Sequence, residues 1–250
     1  MQFQILAITH ESGRNDFYSV VRSFGSEQYS LKLLKEQPSF ENWILSTSTR
    51  REAWSAAKHL WAMSRLKQPL IPSLAETGYS LARQLKDPGA FMRHRFGYEM
   101  LFNKHLMALQ IAAGSLQPSL ILEDDARAGN FTSALISGAL LTLQDFSDVS
   151  FWNLTESISL QDLNIALEDQ VCDGFARGSR PGTNTLCAYL VSPKSAAMIA
   201  ERLPLKRDLL IDHAIDVVLT ELQIPSYFPS REAPVLHGSI IDQESYLRSY

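Results

Sequence analysis

Three adjacent acidic side chains, Glu123, Asp124 and Asp125, are the residues of this sequence best suited to do chemistry. They follow the mainly apolar run 118–122, which predicts a buried strand that delivers all three carboxylates to its carboxyl end. Neighbouring anions repel one another, so the triplet favours a site that holds a cation. Carboxylate oxygens suit Mg²⁺ or Mn²⁺, which commonly bind one or two protein carboxylates together with substrate phosphates. The triplet therefore predicts metal-assisted chemistry on a phosphorylated ligand, and a solvated acidic loop is the alternative interpretation.

The elements that position these acids are strands and helices that alternate along the sequence. Apolar runs predict strands at 1–8, 118–123, 149–154 and 186–191, and helical patterns predict helices at 94–113, 131–143, 193–202 and 209–222. This alternation predicts an α/β fold whose mainly parallel central sheet is flanked by helices, with ligands at the carboxyl ends of the strands. The length suits a single domain over 1–250, in which the poorly assigned segment 40–93 is predicted to be a helical insertion.

Charge, cysteine content and hydropathy indicate which partners and which compartment suit this protein. The net charge of -4 gives no general attraction to nucleic acid backbones. Cys172 and Cys187 are too few and too widely spaced for a disulfide scaffold, which favours a reducing compartment. No apolar run approaches the roughly 20 residues that a membrane-spanning helix needs, and residues 1–8 lack the basic start of a signal peptide. The sequence predicts a cytoplasmic protein without an integral membrane segment, and peripheral association with the inner face of the membrane stays open.

Several segments, in chain order, resemble the family 25 glycosyltransferases, which include bacterial lipooligosaccharide galactosyltransferases. The similar segments are 103–106 with a helical histidine, 120–126 with the Glu-Asp-Asp hallmark, 151–154, 182–197, and 210–214 with a downstream aspartate. The resemblance implies a Rossmann-like fold of the GT-A type. It also implies that a sugar, with galactose as the leading candidate, is transferred with inversion from a UDP-sugar donor to a saccharide or glycolipid acceptor. It also implies Mn²⁺, or Mg²⁺, as the cofactor and lipopolysaccharide or other glycan biosynthesis as the setting.

The resemblance also implies roles for the metal ligands and the base. Asp125 is the main candidate metal ligand, helped by Asp124 and by His237 as a late imidazole. Glu123 and Asp124 are expected to help hold the metal or the ribose of the nucleotide. Asp212 is the candidate general base, because the attacking sugar hydroxyl must lose a proton. A helix cap, support of the metal site and acceptor binding are the alternatives for Asp212.

Other residues are candidates for the nucleotide-sugar site. Thr9, His10 and Arg14 follow the first strand and are predicted to line the nucleotide pocket, with a surface loop as the alternative. Tyr189 is a candidate to stack on a sugar or on uracil, although a core aromatic is the more frequent role of such a strand residue. His105 lies on an apolar helical stripe, which favours a hydrogen-bonded structural histidine.

Two other functions fit parts of this pattern. A noncatalytic carbohydrate- or protein-binding module could keep the fold and the acidic triplet without turnover. A metal-dependent phosphoester hydrolase could use the triplet alone. Neither alternative explains the ordered similarity at 182–197 and 210–214.

Overall fold

The structure, a computed structural model, describes all residues except 1, 10–14, 27, 36–39, 49, 55, 59, 61–84, 144–148, 157–158, 184 and 239–250. The strands are β1 (Phe3–Ile8), β2 (Tyr29–Leu34), β3 (Ser119–Glu123), β4 (Ala126–Ala128), β5 (Phe151–Asn153), β6 (Leu167–Cys172), β7 (Phe175–Gly178), β8 (Ala188–Val191), β9 (Ser226–Pro229) and β10 (Val235–His237). The helices are α1 (Tyr18–Val21), α2 (Phe40–Ser46), α3 (Pro88–Ala113), α4 (Thr132–Thr142), α5 (Pro193–Arg202) and α6 (Ile211–Leu222), with a 3₁₀ turn at Leu203–Lys206.

The large sheet has the strand order β2-β1-β3-β8-β5-β9-β7-β6, and β4 pairs with β10 in a second sheet. β1 is parallel to β2 and β3, and β5 is parallel to β9. β8 and β7 run against their neighbours, so six of the eight strands point the same way. The predicted α/β class with flanking helices is confirmed. The sheet is mixed because β8 returns between β3 and β5 in the opposite direction.

The central strands are buried on both faces of the large sheet. Leu6 and Ile8 of β1 belong to the core that α3, α5 and α6 cover, whereas Ile5 and Ala7 belong to the core that α1 and α4 cover. Successive side chains of a strand point to opposite faces, so a strand covered on both sides needs an uninterrupted apolar run. This requirement explains why 5–8 and 120–122 contain no polar residue.

Part of the segment 40–93 forms a smaller core of its own. Trp43, Phe91 and Met100 belong to this core. Arg95 Nε lies 3.1 Å from Glu52 Oε2 in a buried ion pair that ties the helical residues 50–54 to α3. Residues 40–46, 50–54 and 56–58 are helical, while 61–84 lie outside the described residues.

The helices that cover the sheet lie close to their predicted limits. α5 begins after Ser192, whose hydroxyl accepts a hydrogen bond from the Ser195 amide at 3.1 Å, and Pro193 occupies its first position. α4 and α6 lie within their predicted ranges, and α3 begins earlier than predicted, at Pro88. None of the helices in the described part of the chain has both the length and the apolar character needed to cross a membrane.

Candidate functional site

The acidic triplet lies where β1 and β3 end side by side. Parallel pairing sets Ile8 opposite Glu123, so Thr9 and Asp124 are the next residues at the same edge. The Asp124 carbonyl accepts a hydrogen bond from the Asp16 amide at 3.0 Å, which fastens the start of α1 to the acidic turn. Thr9 is buried, and its hydroxyl has no hydrogen-bond partner among the described residues. A buried hydroxyl left unpaired at this edge is a candidate contact for a ligand.

Asp125 meets two side chains from distant parts of the chain. β10 pairs with β4 so that His237 lies opposite Ala126, directly after the acidic turn. His237 Nδ1 is 3.5 Å from Asp125 Oδ2, and Cys187 Sγ is 3.6 Å from Asp125 Oδ1. The ligand atoms of Asp125, Cys187 and His237, here called the Asp–Cys–His cluster, all lie within 4.8 Å of one another. His237 Nδ1 is buried and makes no hydrogen bond within the described part of the chain, so this nitrogen is available to a cation.

Glu123 is held by a buried histidine. His105 Nε2 lies 2.9 Å from Glu123 Oε1, and His105 Nδ1 lies 3.0 Å from the Tyr189 hydroxyl. His105 is fully buried on α3, in agreement with the predicted structural role. Tyr189 is fully buried as well, with its ring stacked 5.0 Å from that of Phe151. The structure corrects the prediction that Tyr189 stacks on a sugar or on uracil, because β8 directs its ring into the core.

Replacing His105 is expected to destabilise the fold more than removing the Tyr189 hydroxyl. His105→Leu leaves the buried Tyr189 hydroxyl and the partly buried Glu123 carboxylate without this partner, and an unpaired buried group costs about 1–3 kcal/mol. Tyr189→Phe leaves only one buried group, His105 Nδ1, without its partner, so a smaller loss of stability is expected. Urea unfolding of both variants measures the difference. Equal losses of stability would contradict the role of His105 as the link between the two groups.

Asp212 lies in the first turn of α6 beside the loop that leads into β8. Its Oδ1 accepts a hydrogen bond from the Leu186 amide at 3.1 Å. The residue keeps solvent exposure, yet the protein atoms around its carboxylate limit hydration, and this desolvation raises the pKa of Asp212. Repulsion by Glu123 raises this pKa further, and His105 and His213 oppose the shift without cancelling it. A carboxylate with a raised pKa beside other acids is suited to take a proton from a hydroxyl.

Hydrogen bonds fix the loop before β8 against α6. Asn153, at the end of β5, accepts a hydrogen bond from the Thr183 hydroxyl at 2.7 Å and donates one to the Gly182 carbonyl at 3.3 Å. Asp216 of α6 accepts a hydrogen bond from the Thr183 amide at 3.2 Å. A Cβ at Gly182 would lie 2.8 Å from Asp216 Oδ1, so a larger residue there would push aside the carboxylate that accepts the hydrogen bond from Thr183. The loop that carries Leu186 is therefore positioned by side chains from two other elements.

Negative charge is concentrated at this edge of the sheet. Burial raises the pKa of Cys187 well above its ordinary value, and repulsion by Glu123, Asp125 and Asp124 adds to the shift. Burial and then repulsion by Glu123 also raise the pKa of Tyr189. Cys187 is thus a neutral thiol at neutral pH unless a cation lies beside it. A bound cation would relieve the repulsion among these acids.

Gly238 closes the turn against Asp125 and leaves no room for a side chain. Its amide donates a hydrogen bond to the Asp125 carbonyl at 2.9 Å, and a Cβ would lie 2.7 Å from the same oxygen. Gly238→Ala is expected to destabilise the fold by about 1–3 kcal/mol, the usual cost of overpacking, and to displace Asp125. Gly97→Ala is the matched control, because a Cβ there projects into open space on α3 and should stabilise by up to about 1 kcal/mol. Urea unfolding that ranks the two variants in the opposite order would contradict this packing.

The structure assembles part of the predicted site. Glu123, Asp124 and Thr9 share one edge, and Asp125 and His237 meet, but Asp124 is not a member of the Asp–Cys–His cluster. His10 and Arg14 lie outside the described residues. Sequence reasoning missed Cys187, Asn153 and Thr183. The sequence placed Cys187 at the start of a predicted strand. It did not reveal that this strand runs antiparallel to β3, which is what brings Cys187 to the acidic turn.

Sequence comparison adds no family assignment to this geometry. No protein-family model matches the chain, and no curated protein sequence matches it. Function must therefore be inferred from the residues of the site itself.

Proposed function

We propose that this protein is a metal-dependent glycosyltransferase that moves a sugar from a UDP-sugar donor to a saccharide acceptor. Galactose is the leading candidate for that sugar. The observation that carries the proposal is the convergence of Asp125 and His237, an oxygen and a nitrogen ligand 3.5 Å apart, just after β3. Ligands of open α/β sheets bind at this edge. The GT-A type of fold, the likeness to family 25 and the inverting course of the reaction belong to the same proposal.

Asp125 and His237 fit a divalent cation. A carboxylate oxygen and a neutral imidazole nitrogen are ligands that Mn²⁺ and its neighbours in the transition series accept. The buried, unpaired Nδ1 of His237 would gain from such an ion the partner that the described residues do not supply. When bound, the cation would hold the diphosphate of the donor and neutralise the charge that develops on departing UDP.

Asp212 is proposed as the general base. The acceptor hydroxyl attacks the anomeric carbon, a new carbon–oxygen bond forms, and the bond from that carbon to UDP breaks through a transition state of oxocarbenium character. The hydroxyl proton passes to the Asp212 carboxylate. The raised pKa of Asp212 increases its basicity, which favours this transfer.

Thr9 is proposed to contact the nucleotide or its diphosphate. Its carbonyl accepts a hydrogen bond from the buried ammonium group of Lys104, which stands where family 25 usually has serine. This contact occupies the Thr9 carbonyl and anchors the end of β1. The unpaired Thr9 hydroxyl then remains the group available to a ligand.

Product analysis tests the proposal against its competitors. The purified chain is incubated with UDP-galactose, then with other UDP-sugars, in the presence of a divalent cation and simple saccharides. Sugar on the acceptor, or free sugar, together with released UDP supports the proposal. Release of inorganic phosphate or UMP without sugar transfer would favour a phosphoester hydrolase. Binding of saccharide without any turnover would favour a noncatalytic module.

A further inference from the structure

We infer that Cys187 is a third ligand of the cation bound by Asp125 and His237, and that the site therefore prefers a borderline-soft ion such as Zn²⁺ to Mn²⁺ or Mg²⁺. This inference deepens the proposed function and rests on it only for the role of the cation in catalysis. The ligand assignment itself follows from the Asp–Cys–His cluster.

Two distances within the cluster are close to the interligand distances of a tetrahedral zinc site. Zn²⁺ binds cysteine sulfur at about 2.3 Å, and histidine nitrogen and carboxylate oxygen at about 2.0–2.2 Å. Tetrahedral angles then place sulfur about 3.6 Å and nitrogen about 3.4 Å from the oxygen. The structure has 3.6 Å between Cys187 Sγ and Asp125 Oδ1, and 3.5 Å between His237 Nδ1 and Asp125 Oδ2. These two distances run to different Asp125 oxygens, and the Cys187 and His237 ligand atoms lie within 4.8 Å of each other, so zinc binding through one Asp125 oxygen would require a small rotation of its carboxylate.

The ligand count and charge of the cluster also suit zinc. A carboxylate and a thiolate balance the double positive charge of the ion, and neutral imidazole adds a third ligand. Three protein ligands leave a fourth tetrahedral position open, as in catalytic zinc sites, where it holds water or substrate. The ligands come from three separate elements, namely the turn after β3, the start of β8 and the end of β10. The site is thus formed by the tertiary fold rather than by one local motif.

The alternative role for Cys187 is that of a weak hydrogen-bond donor to Asp125. Mg²⁺ and Mn²⁺ prefer oxygen ligands, so a site for these ions would leave the thiol protonated beside the carboxylate. A buried cysteine would then act as a small apolar side chain. The two roles differ in whether sulfur bonds directly to the ion, and this difference can be measured.

Cobalt(II) distinguishes the two roles by absorption spectroscopy. A thiolate bound to Co²⁺ gives an intense sulfur-to-metal charge-transfer band in the near ultraviolet, whereas oxygen and nitrogen ligands do not. The full chain, stripped with chelator and titrated with Co²⁺, is expected to show this band. Cys187→Ser is expected to lose the band, and Cys172→Ser, which removes the other free cysteine, is expected to keep it.

Zinc affinity gives a second readout. Cys187→Ser is expected to weaken Zn²⁺ binding by more than about 100-fold, since even groups that only orient a metal ligand contribute about 10–100-fold. The affinity for Mn²⁺ should fall much less in the same variant, because Asp125 and His237 remain. Competition titrations with a chromophoric chelator measure both constants.

A Co²⁺ complex of the wild-type chain without the band would overturn the inference, and so would unchanged Zn²⁺ affinity in Cys187→Ser. The spectra of the wild type and of Cys172→Ser together decide the question even if Cys187→Ser fails to fold, because Cys187 is the one cysteine that remains in Cys172→Ser. If Cys187 proves not to be a ligand but UDP still binds in the presence of Mn²⁺, the proposed function is unaffected. Conversely, a chain that shows the band but neither binds nor turns over any UDP-sugar would refute the proposed function alone.

Discussion

Asp125→Asn is expected to abolish sugar transfer and to weaken cation binding by more than about 100-fold, because a ligand contributes more than the groups that merely orient it. Asp125 lies within 3.6 Å of both other members of the Asp–Cys–His cluster. Its replacement by a neutral amide removes the charge that attracts the ion while keeping the shape of the side chain. Calorimetric titration with Mn²⁺ and with Zn²⁺, followed by the donor turnover assay, measures both effects.

Asp169→Asn is the matched control for this substitution. Asp169 is exposed on β6, so the same chemical change there should leave cation binding and turnover unchanged. Thermal unfolding of Asp125→Asn should show a folded protein, since the variant lowers the repulsion among the neighbouring acids. A folded Asp125→Asn variant that binds the ion and transfers sugar like the wild type would refute the assignment of Asp125.

Asp212→Asn is expected to slow sugar transfer by about 10²–10⁴-fold, the usual contribution of a general base. The variant keeps an oxygen that can accept the hydrogen bond from the Leu186 amide, so the local geometry should persist. Binding of UDP and of the cation should therefore change little. Single-turnover measurements together with UDP titration separate the chemical step from binding.

The pH dependence of kcat/KM distinguishes a general base at Asp212 from a purely structural role of this residue. The base must be ionised, so kcat/KM should rise as pH passes upward through the raised pKa of Asp212. This acidic limb should lie above the ordinary aspartate value of about 3.9 and disappear in Asp212→Asn. The same shift favours the protonated folded state, so the stability that Asp212 contributes is present at acid pH and is lost as pH rises through the raised pKa.

Glu221→Gln provides the control on the same helix. Glu221 lies at the far end of α6, where its carboxylate pairs with Lys206 at 2.5 Å near the surface. Such pairs contribute about 0–1 kcal/mol, so this variant should keep the activity and pH profile of the wild type. If Asp212→Asn has the same single-turnover rate as the wild type, Asp212 is not the base. Its role would then be that of a helix cap or an acceptor contact.

Local signals in the sequence were enough to predict the elements that carry the acids. An apolar run followed by three acids predicted β3 and its carboxyl end, and Ser192 with Pro193 predicted the start of α5. The buried His105 followed from its apolar helical stripe. These features depend on neighbouring residues, so periodicity and capping chemistry can reveal them.

Pairing between distant strands could not be predicted in the same way. The direction of β8, and with it the approach of Cys187 to Asp125, depends on which strands neighbour it in the sheet. The hairpin of β6 and β7 was not predicted, because β6 is largely exposed and lacks an apolar run. The burial of Tyr189 and the exclusion of Asp124 from the cluster are likewise tertiary outcomes. Sequence spacing carries little information about such contacts.

Calorimetric titration of UDP into the wild-type chain tests the central claim most directly, because it requires no knowledge of the acceptor. The titration is made with Mn²⁺, with Zn²⁺ and with chelator. The proposed function predicts UDP binding that depends on the cation and is lost in Asp125→Asn. A folded chain that binds no UDP under any of these conditions would contradict the assignment of a UDP-sugar donor.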